Sequence, residues 1–305
     1  MARYLGLDLG GTNIKSVVVD TSDGATPEVV ASDSVATLAA GGPTHVVERI
    51  VEAGREALKT HGPVDGAGLG APGLFDADTG IVRLFPNLPG PWPGHPLSVP
   101  VSEGLGMPVR LINDARAFTV AEGLAGAGRG AHTLVCLTLG TGVGGGVMIG
   151  GRLHLGAWGV AGEIGHQIVL ADGPLCGCGN RGCAEALTKA EALARLGGRA
   201  TAEEVYAGAG AGDERCLEAV QTVAGYLGIA LANVVAVLGP DRIVIGGGIS
   251  TAGELLLGPI RTALRARVTL VPRDEVEVVP AALGSYAGAI GAALSCLATP
   301  GRDTS

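Results

Sequence analysis

Residues 3–20 read RYLGLDLGGTNIKSVVVD, and residues 134–149 read LVCLTLGTGVGGGVMI. In both stretches apolar residues alternate or run together on either side of a glycine turn, the pattern of two strands joined by a tight connection. Laid over one another, they set Gly10 on Gly140 and Asp8 on Thr138, and each copy opens one half of the chain. The repetition predicts two related lobes, each starting with a hairpin whose glycine turn faces the cleft between them. A third glycine cluster, IVIGGGIS at 243–250, follows a strand pattern and precedes a helical one. Three turns that leave backbone amides open suit a single phosphate-rich ligand.

Between the hairpins the period of the apolar residues switches back and forth. Val46, Val47, Ile50, Val51, Ala53, Ala57 and Leu58 recur at helical spacing, and Gly62-Pro63 stops the pattern. VDGAGLGAPG reads as a strand ending in a glycine loop, PVRLIND as a strand ending on Asn113 and Asp114, and ARAFTVAEGLAGAG as the helix after it. GSYAGAIGAALSCLA, from Gly284, reads as a closing helix with Ser285 as its N-cap. Strands alternating with helices predict an α/β fold.

Composition narrows the partners. With 47% hydrophobic and 16% charged residues over 305 positions, the chain can bury enough apolar surface to offset its conformational entropy, despite 53 glycines. A net charge of −8 and the lack of a basic cluster predict no nucleic-acid partner. No uninterrupted apolar run reaches the roughly 18 residues of a membrane span, and the N-terminus enters a strand pattern without a leader, so a cytoplasmic protein with no membrane partner is expected. In a reducing compartment clustered cysteines point to metal binding or catalysis before disulfides.

That expectation bears on GEIGHQIVLADGPLCGCGNRGCAEAL, residues 162–187. His166, Cys176, Cys178 and Cys183 supply four borderline-soft ligands, the number that closes a tetrahedral structural zinc site, and the intervening glycines let a short loop fold round the ion. No C-x-x-C dithiol is present here, which weakens a redox reading. Cys136, Cys216 and Cys296 lie singly in apolar segments and read as small core residues. Glu163, His166 and Glu185 lie beside or within the loop. Held by a metal-stiffened frame, the carboxylates could accept hydrogen bonds from a polyhydroxylated substrate; the lesser reading of Glu163 and Glu185 is as solvent-facing residues.

Two further motifs remain open. Asp8-Leu9-Gly10-Gly11-Thr12 offers open amides, a hydroxyl and a carboxylate able to hold a hydrated magnesium ion, or is an ordinary hairpin turn. Asn113-Asp114, where a strand gives way to a helix, is either an N-cap or the place where Asp114 accepts a proton from a substrate hydroxyl. Asn87, in FPNLPGPW, is a polar contact or turn chemistry.

Taken in order, LDLGGTNIK, GAPG, PNLPG, INDA, LGTGVGGG, GEIGH, CGCGNRGCAE and IVIGGGIS resemble the ROK family of bacterial sugar kinases and repressors over nearly the whole chain. The resemblance implies the actin-like ATPase fold shared with hexokinases, and transfer of the terminal phosphoryl group of magnesium ATP to a hexose hydroxyl, usually that on carbon six. It implies a small lobe at 1–113 completed by a C-terminal helix at 284–305, a large lobe at 114–283 containing the zinc loop, and a homodimer. By the same resemblance Asp114 is the base, and Asn87, Asn113, Asp114, Glu163, His166 and Glu185 hold the sugar. Asp8, Gly10, Gly11, Thr12, Asn13 and Lys15, then Gly140, Thr141 and Gly142, then Gly246, Gly247 and Gly248 take the nucleotide. His166, Cys176, Cys178 and Cys183 take zinc.

Family repressors carry an N-terminal helix-turn-helix, for which a hairpin beginning at Arg3 leaves no space, so a kinase is expected over a sugar sensor. Family glucokinases usually have Asn where this chain has Arg116, a small residue at Phe118, and Ser-Gly at Lys189-Ala190. These departures border the sugar motifs. They are read as repacking or as the mark of a modified hexose such as the amino sugar kanosamine, with glucose as the leading substrate.

Overall fold

A computed structural model describes residues 2–22, 24, 26–76, 78–85, 88–272 and 275–297. The chain forms two compact units, the first built from residues up to Gly126 and from Leu283 onward, the second from Ala127–Ala282.

Among the described residues the first unit holds a five-stranded sheet. Strands β1 (Arg3–Leu9), β2 (Asn13–Asp20), β3 (Glu28–Ala36) and β4 (Gly66–Ala71) belong to it; β5 (Leu74–Phe75) and β6 (Val82–Leu84) pair as a separate ribbon; β7 (Val109–Asn113) completes the order β3-β2-β1-β4-β7. β1 and β2 are the expected antiparallel hairpin, whereas β1, β4 and β7 run parallel and end at one edge. Helices α1 (Gly42–His61), α2 (Ser98–Leu105) and α3 (Asp114–Leu124) connect them. The period-two pattern of β1 explains its place. Leu5, Leu7 and Leu9 are fully buried on one face with Val46 and Ile50 of α1, each worth roughly 1.5–3 kcal/mol.

The other face of β1 carries Gly6 and Asp8. A β-carbon on Gly6 would stand 1.9 Å from the Ala289 carbonyl oxygen, and one on its register partner Gly68 2.0 Å from that of Ala292. The C-terminal helix, Ala287–Ser295, therefore rests its backbone directly on two side-chain-free positions of the sheet. α3 crosses this helix just as closely, since a β-carbon on Gly291 would meet the Ala117 carbonyl oxygen at 1.7 Å. The division consequently falls after Gly126 and before Leu283, whereas the sequence reading ends the first lobe at 113 and places 114–126 in the other. Ser285 does not cap the closing helix. It lies in a 3-10 turn, Gly284–Tyr286, that leads into the helix without a side-chain cap.

The second unit repeats the opening. Its sheet, five-stranded among the described residues, runs β10-β9-β8-β11-β12, from β8 (Thr133–Leu139), β9 (Val143–Ile149), β10 (Arg152–His154), β11 (Arg242–Gly246) and β12 (Glu277–Pro280). β8 and β9 form the second hairpin, while β8 and β11 are parallel, with Thr138 opposite Gly246, so both end at one edge. α4 (Ala184–Thr188), α5 (Ala190–Gly197), α6 (Ala202–Gly210), α7 (Glu214–Leu238) and α8 (Glu254–Arg265) pack around it. By length and composition α7 could cross a membrane, but Gln221, Tyr226 and Asn233 interrupt its apolar residues. Its Val220, Val223, Leu227, Leu231 and Val235 are buried in the core of this unit, the pattern of an interior helix of a globular protein.

Candidate active site

In the first unit the turn between β1 and β2 is closed by Gly10 N–H donating to the Asn13 carbonyl at 3.0 Å. Gly11, Thr12 and Asn13 are exposed at its tip. Thr37, fully buried just past β3, clamps the turn from behind: its hydroxyl donates to the Gly10 carbonyl at 2.7 Å and its N–H to the Thr12 carbonyl at 2.8 Å. Nothing in the spacing around this residue marks it, because a lone threonine after a strand has no distinctive pattern.

Asp8 sits one residue before the end of β1, over Gly70 of β4 and Gly288 of the C-terminal helix. A β-carbon on Gly288 would stand 2.6 Å from its Oδ2. Burial pushes its pKa up to about 6; the negative charge of Asp114 adds to the rise and Lys15 opposes it. Lys15 is the cross-strand partner of Asp8. Its Nζ donates to the Ser285 carbonyl at 2.5 Å and lies 5.4 Å from the centre of the Tyr286 ring, so its ammonium is held by the turn before the C-terminal helix.

Asn113 is the N-cap of α3. Its Oδ1 accepts from Ala115 N at 3.1 Å and Arg116 N at 3.3 Å, and its Nδ2 donates to the Gly73 carbonyl at 3.2 Å. Asp114, the first helical residue, is exposed, with Oδ1 accepting from Ala115 N at 2.8 Å. Both readings of this dipeptide thus have a bearer: Asn113 caps the helix and Asp114 presents the carboxylate. Arg116 and Phe118 are 6% and 7% exposed, so each is packed into the unit. Asn87 lies outside the described residues.

In the second unit the turn Gly140-Thr141-Gly142 is closed by Gly140 N–H donating to the Gly142 carbonyl at 3.0 Å. The first N–H of α5, from Ala190, reaches the Gly140 carbonyl at 2.8 Å. At the same sheet edge Gly246-Gly247-Gly248 follows β11, and Gly247, with φ 90°, lies so close to β8 that a β-carbon would stand 2.3 Å from the Leu139 carbonyl oxygen. Two of the three glycine turns are thereby neighbours. The GEIGH segment lies on β9 backbone to backbone, with a β-carbon on Gly145 falling 2.6 Å from the Gly162 carbonyl oxygen. Part of the glycine run 144–146 therefore serves packing and not the phosphate reading.

This seating presents Glu163 and His166, each about one-third exposed, with Oε2 and Nε2 3.9 Å apart. The Nδ1 side of the imidazole faces sulfur, 3.7 Å from Cys176 Sγ, and Cys178 Sγ and Cys183 Sγ are also 3.7 Å apart. All four donor atoms lie within 4.8 Å of one another. Ligands on a tetrahedron with Zn–S of about 2.3 Å are about 3.8 Å apart, whereas a disulfide needs about 2.05 Å. The spacing fits a zinc-type ion and no disulfide. A short backbone hairpin builds the loop, Cys176 N–H donating to the Asn180 carbonyl at 2.7 Å and Gly179 N–H to the Cys176 carbonyl at 3.0 Å. Burial pushes the Cys183 thiol up to about 12 and raises that of Cys176, so an ion entering here displaces protons that the free thiols hold at neutral pH.

Glu185, in α4, joins the loop to the hairpin. Its Oε2 accepts from Val143 N at 2.9 Å beside Gly142, and its Oε1 lies 3.6 Å from Cys176 Sγ. Lys189, by contrast, pairs with the exposed Glu191 at 2.7 Å. Cys136 and Cys216 are buried and Cys296 partly so, as read from the sequence.

Residues 4–298 match the model of the ROK family. The glucokinase of Halalkalibacterium halodurans is 36% identical over 312 residues, which cover 94% of this chain and 93% of the relative. Among solved structures, the ROK hexokinase of Thermus thermophilus superposes with a TM-score of 0.83 at 36% identity, covering 96% of this chain and 97% of that one. A ROK family glucokinase of Streptomyces griseus, solved with glucose and AMPPNP, gives 0.80 at 33%, covering 96% and 98%. A family match and relatives at this level of identity extend over almost the whole length, and this chain belongs to the ROK family.

Proposed function

We propose that this protein is an ATP-dependent glucokinase that transfers the γ-phosphoryl group of ATP to the 6-hydroxyl of glucose. The observation that carries the reading is the carboxylate pair of the first unit. Asp8 and Asp114 stand at the carboxyl ends of parallel strands, close enough for the charge of one to raise the pKa of the other, beside a glycine turn anchored by Thr37. Such edges are where open α/β sheets bind ligands. The glucokinase relatives supply the substrate class.

Asp114 is exposed and held by its own helix, and it accepts the proton of the sugar hydroxyl as the new O–P bond forms. The bond from the γ-phosphorus to the bridging oxygen breaks, and ADP leaves with that electron pair. Positioning and charge neutralisation supply the remainder of the rate in phosphoryl transfer. In the first unit the amides of Gly11 and Thr12, and in the second those of Thr141 and Gly142 with the Gly246-Gly247-Gly248 backbone, are the groups assigned to phosphate oxygens. Asp8, a hard oxygen donor beside a second carboxylate, is the residue that would hold a hydrated magnesium ion, which when bound neutralises phosphate charge. His166, Cys176, Cys178 and Cys183 would hold zinc, which with four protein ligands shapes the loop and leaves no open coordination position. In the second unit Glu163 and Glu185 accept hydrogen bonds from sugar hydroxyls, and His166, its Nδ1 turned to the cysteine cluster, donates its Nε2–H to a sugar oxygen.

Burial of Arg116 and Phe118 favours repacking of α3 over an extra cation or ring for a modified hexose. A coupled ADP-release assay across glucose, mannose, fructose, N-acetylated hexosamines, glucosamine and kanosamine tests the substrate. Glucose is expected to give the highest kcat/KM; a larger value for kanosamine would replace glucose in this reading, and no turnover with any sugar would end it.

A further inference from the structure

The chain has two tryptophans, and they occupy opposite environments. Trp92 is 1% exposed, packed against Phe85 with the ring planes tilted by 42°, and its Nε1 donates to the Pro89 carbonyl at 3.1 Å. Trp158 is 87% exposed. It sits at the tip of a short loop, residues 155–161, that closes on itself through Ala161 N–H donating to the Leu155 carbonyl at 3.1 Å and turns through Gly156 and Gly159, both in the left-handed region. The loop continues without a break into GEIGH. Glu163 N–H donates to the Val160 carbonyl at 3.4 Å, and His166 N–H to the Glu163 carbonyl at 3.1 Å. The indole is therefore carried on the same folded segment as two side chains assigned above to sugar hydroxyls. An indole left in water gains nothing for the fold, whereas its apolar face matches the C–H face of a sugar ring and its width excludes water from that face.

We propose that Trp158 is a specificity-determining residue of the acceptor subsite, stacking on the apolar face of the pyranose whose hydroxyls Glu163 and His166 hold. The inference rests on the kinase reading and adds a substrate preference to it. In the glucose configuration the hydroxyls on carbons two, three and four are all equatorial, so in the β-anomer both faces of the ring present only C–H groups. An axial hydroxyl, as at carbon two of mannose, puts an oxygen on one face and spoils the stack. Trp158 thereby selects against such epimers at a position that makes no hydrogen bond to them.

Intrinsic fluorescence and kinetics test this together. Trp158 supplies the solvent-exposed part of the emission and Trp92 a buried internal reference. Glucose is expected to shift the exposed component to the blue, at sugar concentrations that match the binding heat measured by calorimetry on the same sample, and Trp158→Phe is expected to remove most of the water-exposed emission. Trp158→Ala should raise KM for glucose about three- to tenfold, as expected for losing one ring stack, with kcat changed less. The ratio of kcat/KM for glucose over mannose should fall by a similar factor, and Trp158→Phe should restore much of both. Three results would overturn the assignment: emission unchanged at calorimetric saturation with glucose, an unaltered glucose-to-mannose ratio in Trp158→Ala, or an emission shift that follows protein concentration and not sugar. If calorimetry shows no heat with any hexose and no sugar is phosphorylated, the kinase reading itself falls and takes this one with it.

Discussion

Asp114 is an exposed carboxylate on a helix whose capping is done by its neighbour, so its replacement tests chemistry with little structural confusion. Asp114→Asn keeps the shape of the side chain and removes the base. Turnover is expected to fall by about 10²–10⁴ while sugar affinity measured by calorimetry changes little; near-normal turnover would take the proton-accepting role from this residue. Asp8 makes a different prediction. Its pKa in the folded protein is about 6 against an ordinary 3.8, so the native state binds its proton more tightly than the unfolded chain does. The stability that this binding confers is complete below the unfolded value and is lost as pH rises through about 6. Asp8→Asn lacks that loss, so its denaturant midpoint should exceed the wild type's at pH 7–8 and converge on it near pH 4. A variant less stable than wild type at pH 8 would contradict the sign. At this scale the sequence marked the charged residues well and could not rank their roles. Asn113-Asp114 reads as a cap or a base from spacing alone, and the hydrogen bonds that Asn113 accepts from Ala115 and Arg116 show only that Asn113 is the cap. Thr37 escapes because its importance comes from where β3 delivers it and not from its neighbours in sequence.

Among the elements, the cysteine loop was the most legible, since three cysteines and a histidine leave few physical alternatives once a disulfide is excluded by distance. Cys178→Ser removes the exposed ligand. Metal content measured on the purified protein is expected to fall well below one zinc per chain, and sugar KM to rise, because Glu185 reaches the Gly140–Gly142 turn from a helix that starts directly after Cys183. Treatment of the wild type with a chelator should reproduce both effects, and full zinc occupancy in the variant would dissolve the proposed ligand set. The glycines were harder to read. Their number suggests main chain approaching a ligand, and Gly11 and Thr141 stand exposed at the tips of the two turns. Gly6, Gly68 and Gly291 instead let a helix lie on a sheet and another helix cross it, and Gly145 seats the GEIGH segment. Those contacts join positions far apart in the chain, so no local spacing announces them. Ser285 shows the same limit, being a plausible cap by composition that the 3-10 turn displaces.

For the whole molecule, the duplicated hairpin carried the architecture from the sequence, because two glycine turns flanked by strands can be overlaid without any tertiary information. The chain bounds of the first unit were not legible. α3 has no sequence feature that binds it to a helix some 170 residues later, yet Ala117 and Gly291 meet. The second unit is one continuous stretch, Ala127–Ala282, and the first is assembled from two. Expressed alone, residues 127–282 should fold cooperatively and bind zinc, as read by circular dichroism and metal analysis. Residues 1–126 alone should not, and adding the 283–305 segment through a short linker should restore a cooperative transition. Cooperative folding of 1–126 by itself would show that the C-terminal helix is dispensable.

That split ancestry of the first unit has a consequence for biosynthesis. The ribosome delivers the chain from Met1 onward, so the sheet containing Gly6 and Gly68 emerges long before the residues that cover it. Throughout translation of residues 127–282 one apolar flank of the nascent sheet stands open, and only the helix Ala287–Ser295 provides its lid. A transcript damaged within the codons for residues 283–297 would therefore yield a product whose defect lies in the sheet made long before them.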